Sequence, residues 1–406
     1  SLINIFISPL LSRFFYTNLN FPIVTFLYEK QLNKKLKMYI FVLILKYSQQ
    51  EKKMFNNIEV LAGKKAIEII KDGAFSEDKI SVIAGAAGGP KFLALAGFDR
   101  LLLSRWFKKR KKPIFYIGSS IGAWRGAAFA CKNPLKSYNT LVESYLSQSY
   151  SSKPSATEVT KESRRIMNEF LSTEDIDFAL SKSIFHLNFI ATHCKGLSAS
   201  SNPKALSVAF IPSIAINILS RNLLLWIFTR TLFYNKRKLP PFAINFKEDH
   251  RIPLSDENFK EALLASGSIP FVMEGVKNII GAPAGVYRDG GITDYHLNIN
   301  FGTEELIFYP HFSKRITPGW LDKSLKWRNY DKNFFSNVII IRPSEKFINS
   351  LKYKKIPDRS DFKTFLGNDK ERLSFWRDTI KKSSILGEEF FEAAENGKLK
   401  SIIKEL

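Results

Sequence analysis

The chain has 406 residues, of which 45% are hydrophobic and 24% charged, which excludes a wholly disordered chain and a small disulfide-stabilised scaffold. Its formal net charge of +23 predicts attraction to polyanions; since no zinc-finger spacing or RNA-binding aromatic run occurs, we expect an anionic membrane surface and no nucleic acid. Two isolated cysteines and five scattered histidines without ligand spacing predict no metal site and no disulfide.

The first 53 residues differ from the rest because apolar blocks alternate with lysine and asparagine. Their longest apolar block, residues 38–45, is far shorter than the ~20 residues that span a bilayer. This leader is a membrane-surface anchor, a poorly ordered extension or sequence that is not native to the protein, and we favour the last two interpretations. We expect residues 54–406 to form a single domain whose C-terminal part, about residues 345–406, is helical.

A glycine-rich loop follows the first predicted elements, a helix over residues 58–70 and a strand over residues 79–84. A helix comes next, since apolar residues recur at helical spacing after a proline that suits a first helical turn. This arrangement predicts an anion site in which the N–H groups of Gly88 and Gly89 point at one oxygen and Lys91 adds positive charge. The loop lacks the spacing of nucleotide-binding loops, so no nucleotide cofactor is expected; a turn without function is the alternative.

One β-α unit later, residues 111–130 predict a strand, a sharp turn and a helix. The turn runs from Gly118 to Gly122 with Ser120 at its centre, which is the G-x-S-x-G pattern of a nucleophile elbow. Such a turn exposes the serine hydroxyl at a helix N-terminus, where N–H groups favour a developing anion. Since neighbouring parallel strands end at the same edge of a sheet, Ser120 and the preceding glycine loop should face one crevice, as acyl transfer requires. The motif alone also arises by chance.

Residues 205–242 are almost entirely apolar or small and end in a basic, proline-containing loop. A helix here would place two aliphatic side chains, an aromatic ring and an arginine on one face: Leu223, Trp226, Ile227 and Arg230. That pattern suits a helix lying in a lipid interface. The alternative is a buried helix pair followed by the basic loop.

Further along, residues 261–270 predict a helix that runs into a Gly/Ser turn. An extended run then leads into Asp289-Gly290-Gly291, where a tight turn would hold the carboxylate in place. Residues 306–309 and 337–341 predict two more buried strands.

These motifs together resemble the patatin-like phospholipase family in their order and spacing, over roughly residues 57–300. They are the glycine-rich loop at 86–92, the elbow at 118–122, the Ala-Ser-Gly-Ser-Ile-Pro stretch at 265–270 and the Asp-Gly-Gly turn at 289–291. The resemblance implies an α/β protein, a three-layer α/β/α fold with a mainly parallel central sheet. It also implies a serine lipid acyl hydrolase that needs no cofactor.

By the same resemblance, Ser120 is the nucleophile, Asp289 completes a Ser-Asp dyad, and Gly88, Gly89 and Lys91 form the oxyanion loop. The implied activity is that of a phospholipase A or lysophospholipase that cleaves membrane phospholipids or other fatty acyl esters. We expect a cytoplasmic protein in peripheral contact with a membrane.

Two departures from the family pattern concern the oxyanion loop, since Ala87 and Phe92 stand where glycines are usual. They leave the geometry of this loop, and with it the rate and the substrate, open. One alternative is a Ser-His-Asp esterase with His296 or His311 as the base. Another is a membrane-binding module that keeps the fold but has little activity.

Overall fold

The computed structural model describes residues 55–73, 75–150, 152–242 and 249–406, and the leader predicted over residues 1–53 lies outside the described residues. The described residues form one mixed sheet. Its strands, in chain order, are β1 (Ile58–Ala62), β2 (Ile80–Gly85), β3 (Ile114–Ser119), β4 (Phe185–Cys194), β5 (Phe228–Tyr234), β6 (His250–Pro253), β7 (Val276–Lys277), β8 (Val286–Asp289), β9 (Leu306–Pro310), β10 (Val338–Pro343) and β11 (Ile403–Glu405).

The spatial order of the strands is β11-β1-β10-β9-β2-β3-β4-β5-β6, and β8 pairs with both β4 and β7. The central block from β10 to β4 is parallel throughout. The α-helices are α1 (Lys64–Lys71), α2 (Ala96–Leu101), α3 (Phe107–Lys109), α4 (Ile121–Ala130), α5 (Pro134–Leu146), α6 (Ala156–Phe170), α7 (Thr173–Ser181), α8 (Pro203–Leu219), α9 (Phe259–Gly267), α10 (Gly291–Asp294), α11 (Glu345–Ser350), α12 (Ser360–Thr364), α13 (Asp369–Lys382), α14 (Ser384–Glu395) and α15 (Leu399–Ile402). The prediction of an α/β fold with a mainly parallel central sheet flanked by helices is confirmed.

Each face of the sheet has its own hydrophobic core, because successive side chains of a strand point to opposite faces. On β3, Ile114 and Tyr116 join the larger core, which also contains apolar residues of α4, α5, α13 and α14. Phe115 and Ile117 join the second core, which the mostly irregular segments 297–305 and 311–335 on either side of β9 cover. Both faces of β3 are therefore buried, as its continuous apolar sequence requires.

One edge of β4 changes partner halfway along the strand. Its first part pairs with β3 as far as Ser119, which lies opposite Ile190, and the next residue of β4, Ala191, pairs with Asp289 of β8. Since β3 is parallel and β8 antiparallel to β4, their C-terminal ends meet on this edge. The topology thus brings residue 120 and residue 289 together.

The helix predicted over residues 58–70 is wrong in its first part, since residues 58–62 form β1 and α1 begins at Lys64. Ile58, Val60 and Ala62 are buried and the residues between them are half-exposed, which is the two-residue alternation of a strand. β1 pairs with β10 and β11, both near the other end of the chain, so local periodicity does not reveal its partners.

Of the two interpretations of residues 205–242, the one that places Arg230 on the lipid-facing side of a helix is wrong. The chain forms a 3₁₀ helix over Arg221–Trp226, and Arg230 lies on β5. Its Nε donates to Asp294 Oδ2 at 2.6 Å and its Nη1 to Asp249 Oδ2 at 3.2 Å. Because a buried guanidinium is stabilised by paired carboxylates, Arg230 has a structural role within the protein.

Candidate active site

Ser120 lies in the turn between β3 and α4, with backbone φ 54° and ψ −131°. Few non-glycine residues adopt such a conformation, and it occurs where the surrounding structure enforces it. A Cβ at Gly118 would lie 2.5 Å from the Gly122 carbonyl carbon, and one at Gly122 would overlap the Gly85 carbonyl. Both glycines are required because the ends of β2 and β3 and the start of α4 meet here.

Asp289 is hydrogen-bonded directly to the elbow serine. Ser120 Oγ donates to Asp289 Oδ2 at 2.7 Å, and the Gly291 N–H donates to Asp289 Oδ1 at 2.6 Å. A Cβ at Gly290 would overlap the Ile190 carbonyl of β4, so the turn passes too close to the sheet for a larger residue. Both carboxylate oxygens are thereby oriented, one of them toward the serine.

The pair is almost completely shielded from solvent, with Ser120 3% and Asp289 6% exposed. Burial raises the pKa of Asp289 above the ordinary aspartate value, although the positive charge of Arg359 and the hydrogen bonds from Ser120 and Gly291 oppose this rise. A carboxylate with a raised pKa is a stronger base than an exposed one, which suits it to accept a proton from a hydroxyl.

Ser266, in the last turn of α9, holds the backbone of the elbow. The Ser120 N–H donates to Ser266 Oγ at 3.0 Å, and Ser266 Oγ donates to the Ile190 carbonyl at 2.7 Å. It was not predicted as a site residue; its only signal in the sequence is its place in the Ala-Ser-Gly-Ser-Ile-Pro stretch at 265–270.

The glycine-rich loop lies at the C-terminal end of β2, next to the strand that ends at Ser119. Gly89 has a φ of 56°, and a Cβ at Gly88 would overlap the Phe312 ring. Within the described part of the chain, neither the Gly88 nor the Gly89 N–H donates to another protein group. These donors are therefore available to an oxygen atom of a ligand.

The two residues that depart from the family pattern are both buried. The Ala87 N–H donates to the Tyr295 carbonyl at 2.9 Å, which ties the loop to the segment after Asp289. Phe92 packs in the larger core, where its ring meets the Tyr145 ring edge-on at a centroid distance of 5.2 Å. Phe92 therefore serves as a core residue behind the loop.

Lys91 is half-buried at the start of the 3₁₀ helix that follows the loop. Burial lowers its pKa, and the charges of Arg359 and Lys355 lower it further while Asp358 opposes them. Arg359 and Lys355 both come from the segment before α12, which the prediction did not associate with the site.

His296 and His311 are buried beside each other, with ring centroids 4.4 Å apart. Burial lowers the pKa of both, and His296 Nδ1 accepts a hydrogen bond from the Thr317 N–H at 2.8 Å. In a Ser-His-Asp triad the imidazole stands between the serine and the carboxylate, whereas here Ser120 bonds directly to Asp289. This arrangement favours a dyad over the histidine alternative.

Among the described residues, no three His, Cys, Asp or Glu side chains lie close enough together to hold a metal ion. None of the described helices has the length and apolarity needed to cross a bilayer.

Comparison with known proteins gives one family match. The model of the patatin-like phospholipase family matches residues 84–299, which is more than half of the chain and includes the glycine loop, the elbow and Asp289. A search of curated proteins finds no match.

Proposed function

The chain belongs to the patatin-like phospholipase family of lipid acyl hydrolases, and we propose that it cleaves fatty acyl esters of phospholipids or lysophospholipids through an acyl-enzyme on Ser120. The observation that carries this proposal is the 2.7 Å hydrogen bond from Ser120 Oγ to Asp289 Oδ2 at the N-terminus of α4. The hydroxyl and its base are already in contact, so no side chain has to be recruited before attack.

In the proposed reaction, Ser120 Oγ attacks the ester carbonyl carbon while Asp289 accepts the hydroxyl proton. The N–H groups of Gly88 and Gly89 donate to the oxyanion of the tetrahedral intermediate. The intermediate collapses, the C–O bond to the alcohol breaks, and Asp289 returns the proton to the departing oxygen. Water then attacks the acyl-enzyme, with Asp289 accepting its proton, and the fatty acid leaves as Ser120 regains its hydrogen.

The dyad is tested with Ser120→Ala and Asp289→Asn on a soluble fatty acyl ester, together with a fluorophosphonate probe. We expect Ser120→Ala to lose both activity and labelling, and Asp289→Asn to lose about 10²- to 10⁴-fold in kcat, the usual contribution of a general base. Unchanged thermal unfolding would show that the variants still fold. Retained hydrolysis in Ser120→Ala would contradict the proposal, and a loss of activity in His296→Asn as deep as that of Asp289→Asn would favour a histidine base.

We also propose that the protein works at the surface of an anionic membrane, with the outer face of α8 in the lipid interface. This face carries exposed aliphatic side chains, among them Ile211 at 67% and Leu219 at 81%, and Trp226 beyond its end is 72% exposed. On its inner face, Phe210 meets the ring of Phe271, just after the Ser-Gly-Ser-Ile-Pro stretch beside the dyad, at 5.5 Å. The exposed apolar side chains suit the hydrocarbon side of a lipid interface, and the net charge of +23 attracts the chain to anionic head groups.

The interface is tested by sedimentation with vesicles that contain anionic lipid. We expect Ile211→Asn combined with Trp226→Ser to reduce vesicle binding and the hydrolysis of vesicle lipid, while hydrolysis of a soluble ester changes little. The matched control is Leu135→Asn, because Leu135 is also exposed but lies at the start of α5, away from Ser120. Ser120 precedes α4, and the 10 residues of α4 place the far end of that helix about 15 Å from it. Equal losses in the control would contradict the assignment.

We further propose that residues 54–406 form one catalytic domain. Support comes from β1 and β11, at the two ends of the described chain, which pair with each other in the sheet that carries Ser120 and Asp289.

A further inference from the structure

A pocket of about 430 Å³ opens beside the glycine loop. Its wall includes Gly88 and Lys91 from the loop, Tyr295 from the segment after Asp289, and Lys323 and Arg359 from further along the chain. The last two residues lie beyond the part of the chain that matches the family. The pocket is large enough for a phosphate group and its attached glycerol, since ligand pockets typically begin at about 300 Å³.

Three basic side chains of this pocket lack an ion-paired carboxylate among the described residues. Within the described ranges, Lys91, Lys323 and Arg359 make no ion pair and no side-chain hydrogen bond. The carboxylate that lines the pocket, Asp358, is already engaged by Lys355 at 3.1 Å and by the Ser360 N–H at 2.8 Å. Three basic side chains around one cavity, none of them in an ion pair with a described carboxylate, repel one another, and a bound anion would stabilise their charged forms.

Lys323 shows this mutual repulsion. Although the residue as a whole is exposed, its ammonium lies against protein, 3.9 Å from the centroid of the Tyr295 ring. Desolvation, together with the charges of Arg359 and Lys91, lowers the pKa of Lys323 to about 7. A bound anion would relieve the repulsion and favour the protonated lysine.

Arg359 lies directly against the oxyanion loop. A Cβ at Gly89 would be 2.9 Å from Arg359 Nε, so the guanidinium occupies space that any larger residue at position 89 would take. The positive charges of Arg359 and Lys323 also act on Asp289, where they oppose the rise of its pKa. An anion held by these residues would therefore lie beside the glycine loop, where its charge can act on Asp289.

Building on the proposed hydrolase function, we propose that Lys323 and Arg359, together with Lys91, form a subsite that binds the phosphate of the lipid head group while the ester reaches Ser120. A guanidinium binds phosphate oxygens in pairs and an ammonium binds them as a point charge, so the set suits a phosphodiester anion. Neutral acylglycerols lack this group and gain nothing from the subsite. The subsite thus makes the enzyme selective for phosphate-containing acyl esters.

The test compares two substrates with the same acyl chain, 1-oleoyl-lysophosphatidylglycerol and 1-oleoylglycerol, in the same neutral detergent micelles with the full chain. For Lys323→Gln and Arg359→Gln we expect the ratio of kcat/KM between the phosphate-containing and the neutral substrate to fall about 10- to 100-fold, the loss for a charge-assisted hydrogen bond. Lys136→Gln, on the exposed surface of α5, is the matched control and should leave the ratio unchanged. Lys323→Gln keeps the test valid if Arg359→Gln disturbs the adjacent Gly89.

Parallel loss on both substrates, or no loss on either, would overturn the subsite while leaving the hydrolase proposal intact.

Calorimetric titration with glycerol 3-phosphate and with inorganic phosphate provides a readout that does not need activity. We expect glycerol 3-phosphate to bind the wild-type chain and to bind both variants more weakly. If inorganic phosphate binds as tightly and inhibits hydrolysis of both substrates equally, the site holds a free anion and the head-group assignment is wrong. Absence of hydrolysis of any ester contradicts the proposed function, and the titration then decides the subsite alone.

Discussion

The ion pair between Asp99 and Arg125 connects the two halves of the proposed catalytic machinery. Asp99 lies on α2, after the glycine loop, and Arg125 lies on α4, after the elbow. Arg125 donates to both carboxylate oxygens at 2.7 and 2.8 Å, and Tyr138 OH donates to the same carboxylate at 2.5 Å. All three side chains are at most 1% exposed. Removing Asp99 alone therefore leaves a guanidinium buried without its counterion.

We expect Asp99→Leu to lower the free energy of unfolding by about 3–5 kcal/mol, the usual cost of breaking a buried ion pair from one side. The triple variant Asp99→Leu/Arg125→Met/Tyr138→Phe removes every member of the network and should return to within about 2 kcal/mol of wild type, since apolar replacements of buried pairs are often neutral. Urea unfolding followed by tryptophan fluorescence measures both values. A triple variant no more stable than Asp99→Leu would refute the reasoning, because the pair would then be stabilising beyond the cost of its own burial.

Three further predictions concern the dyad and its glycines. Burial raises the pKa of Asp289, so this carboxylate loses its basic form at a higher pH than an ordinary aspartate does. As the pH decreases, kcat/KM on a soluble ester should therefore fall with a midpoint above the ordinary aspartate pKa. A midpoint at or below the ordinary aspartate pKa would contradict this prediction. Gly89→Ala should cost about 1–2 kcal/mol for its φ of 56° and, by displacing Arg359, reduce kcat, which steady-state kinetics and thermal unfolding measure separately. Gly122→Ala, whose Cβ would overlap the Gly85 carbonyl, should destabilise the fold by at least about 1–3 kcal/mol, and an unchanged melting temperature would show that the elbow can relax.

The part of the site that could be predicted from sequence is the part made by short-range contacts. Gly118 and Gly122 stand within one turn of Ser120, and the overlaps that their Cβ atoms would make explain why the motif is readable locally. Asp289 is 169 residues away from Ser120, and only the family resemblance connected the two. In the structure the connection follows from the partner change along one edge of β4, which no local pattern encodes.

The residues that sequence reasoning missed or misread are charged ones whose meaning depends on distant partners. The apolar run before Arg230 is compatible with a lipid-facing helix as one of two interpretations, yet the partner of Arg230 is Asp294, 64 residues away. Lys323 and Arg359 carried no motif, since basic residues are frequent in a chain of net charge +23. What distinguishes them is that they line one pocket with Lys91 and have no anionic partner in the described residues, which only the folded chain reveals.

The proposed lipid-facing helix and the proposed phosphate subsite are parts of one packed unit. Phe210 of α8 meets the Trp320 ring at 5.9 Å, and the Lys323 ammonium lies 5.7 Å from the same ring. Asp322, directly before Lys323, accepts a hydrogen bond from Asn217 of α8 at 2.7 Å. The outer face of α8 and Lys323 are thus held in a fixed relation. In the proposed membrane-bound state, the apolar side chains of α8 would lie in the lipid interface, and the bond between Asn217 and Asp322 would keep the proposed phosphate subsite at a fixed distance from that interface.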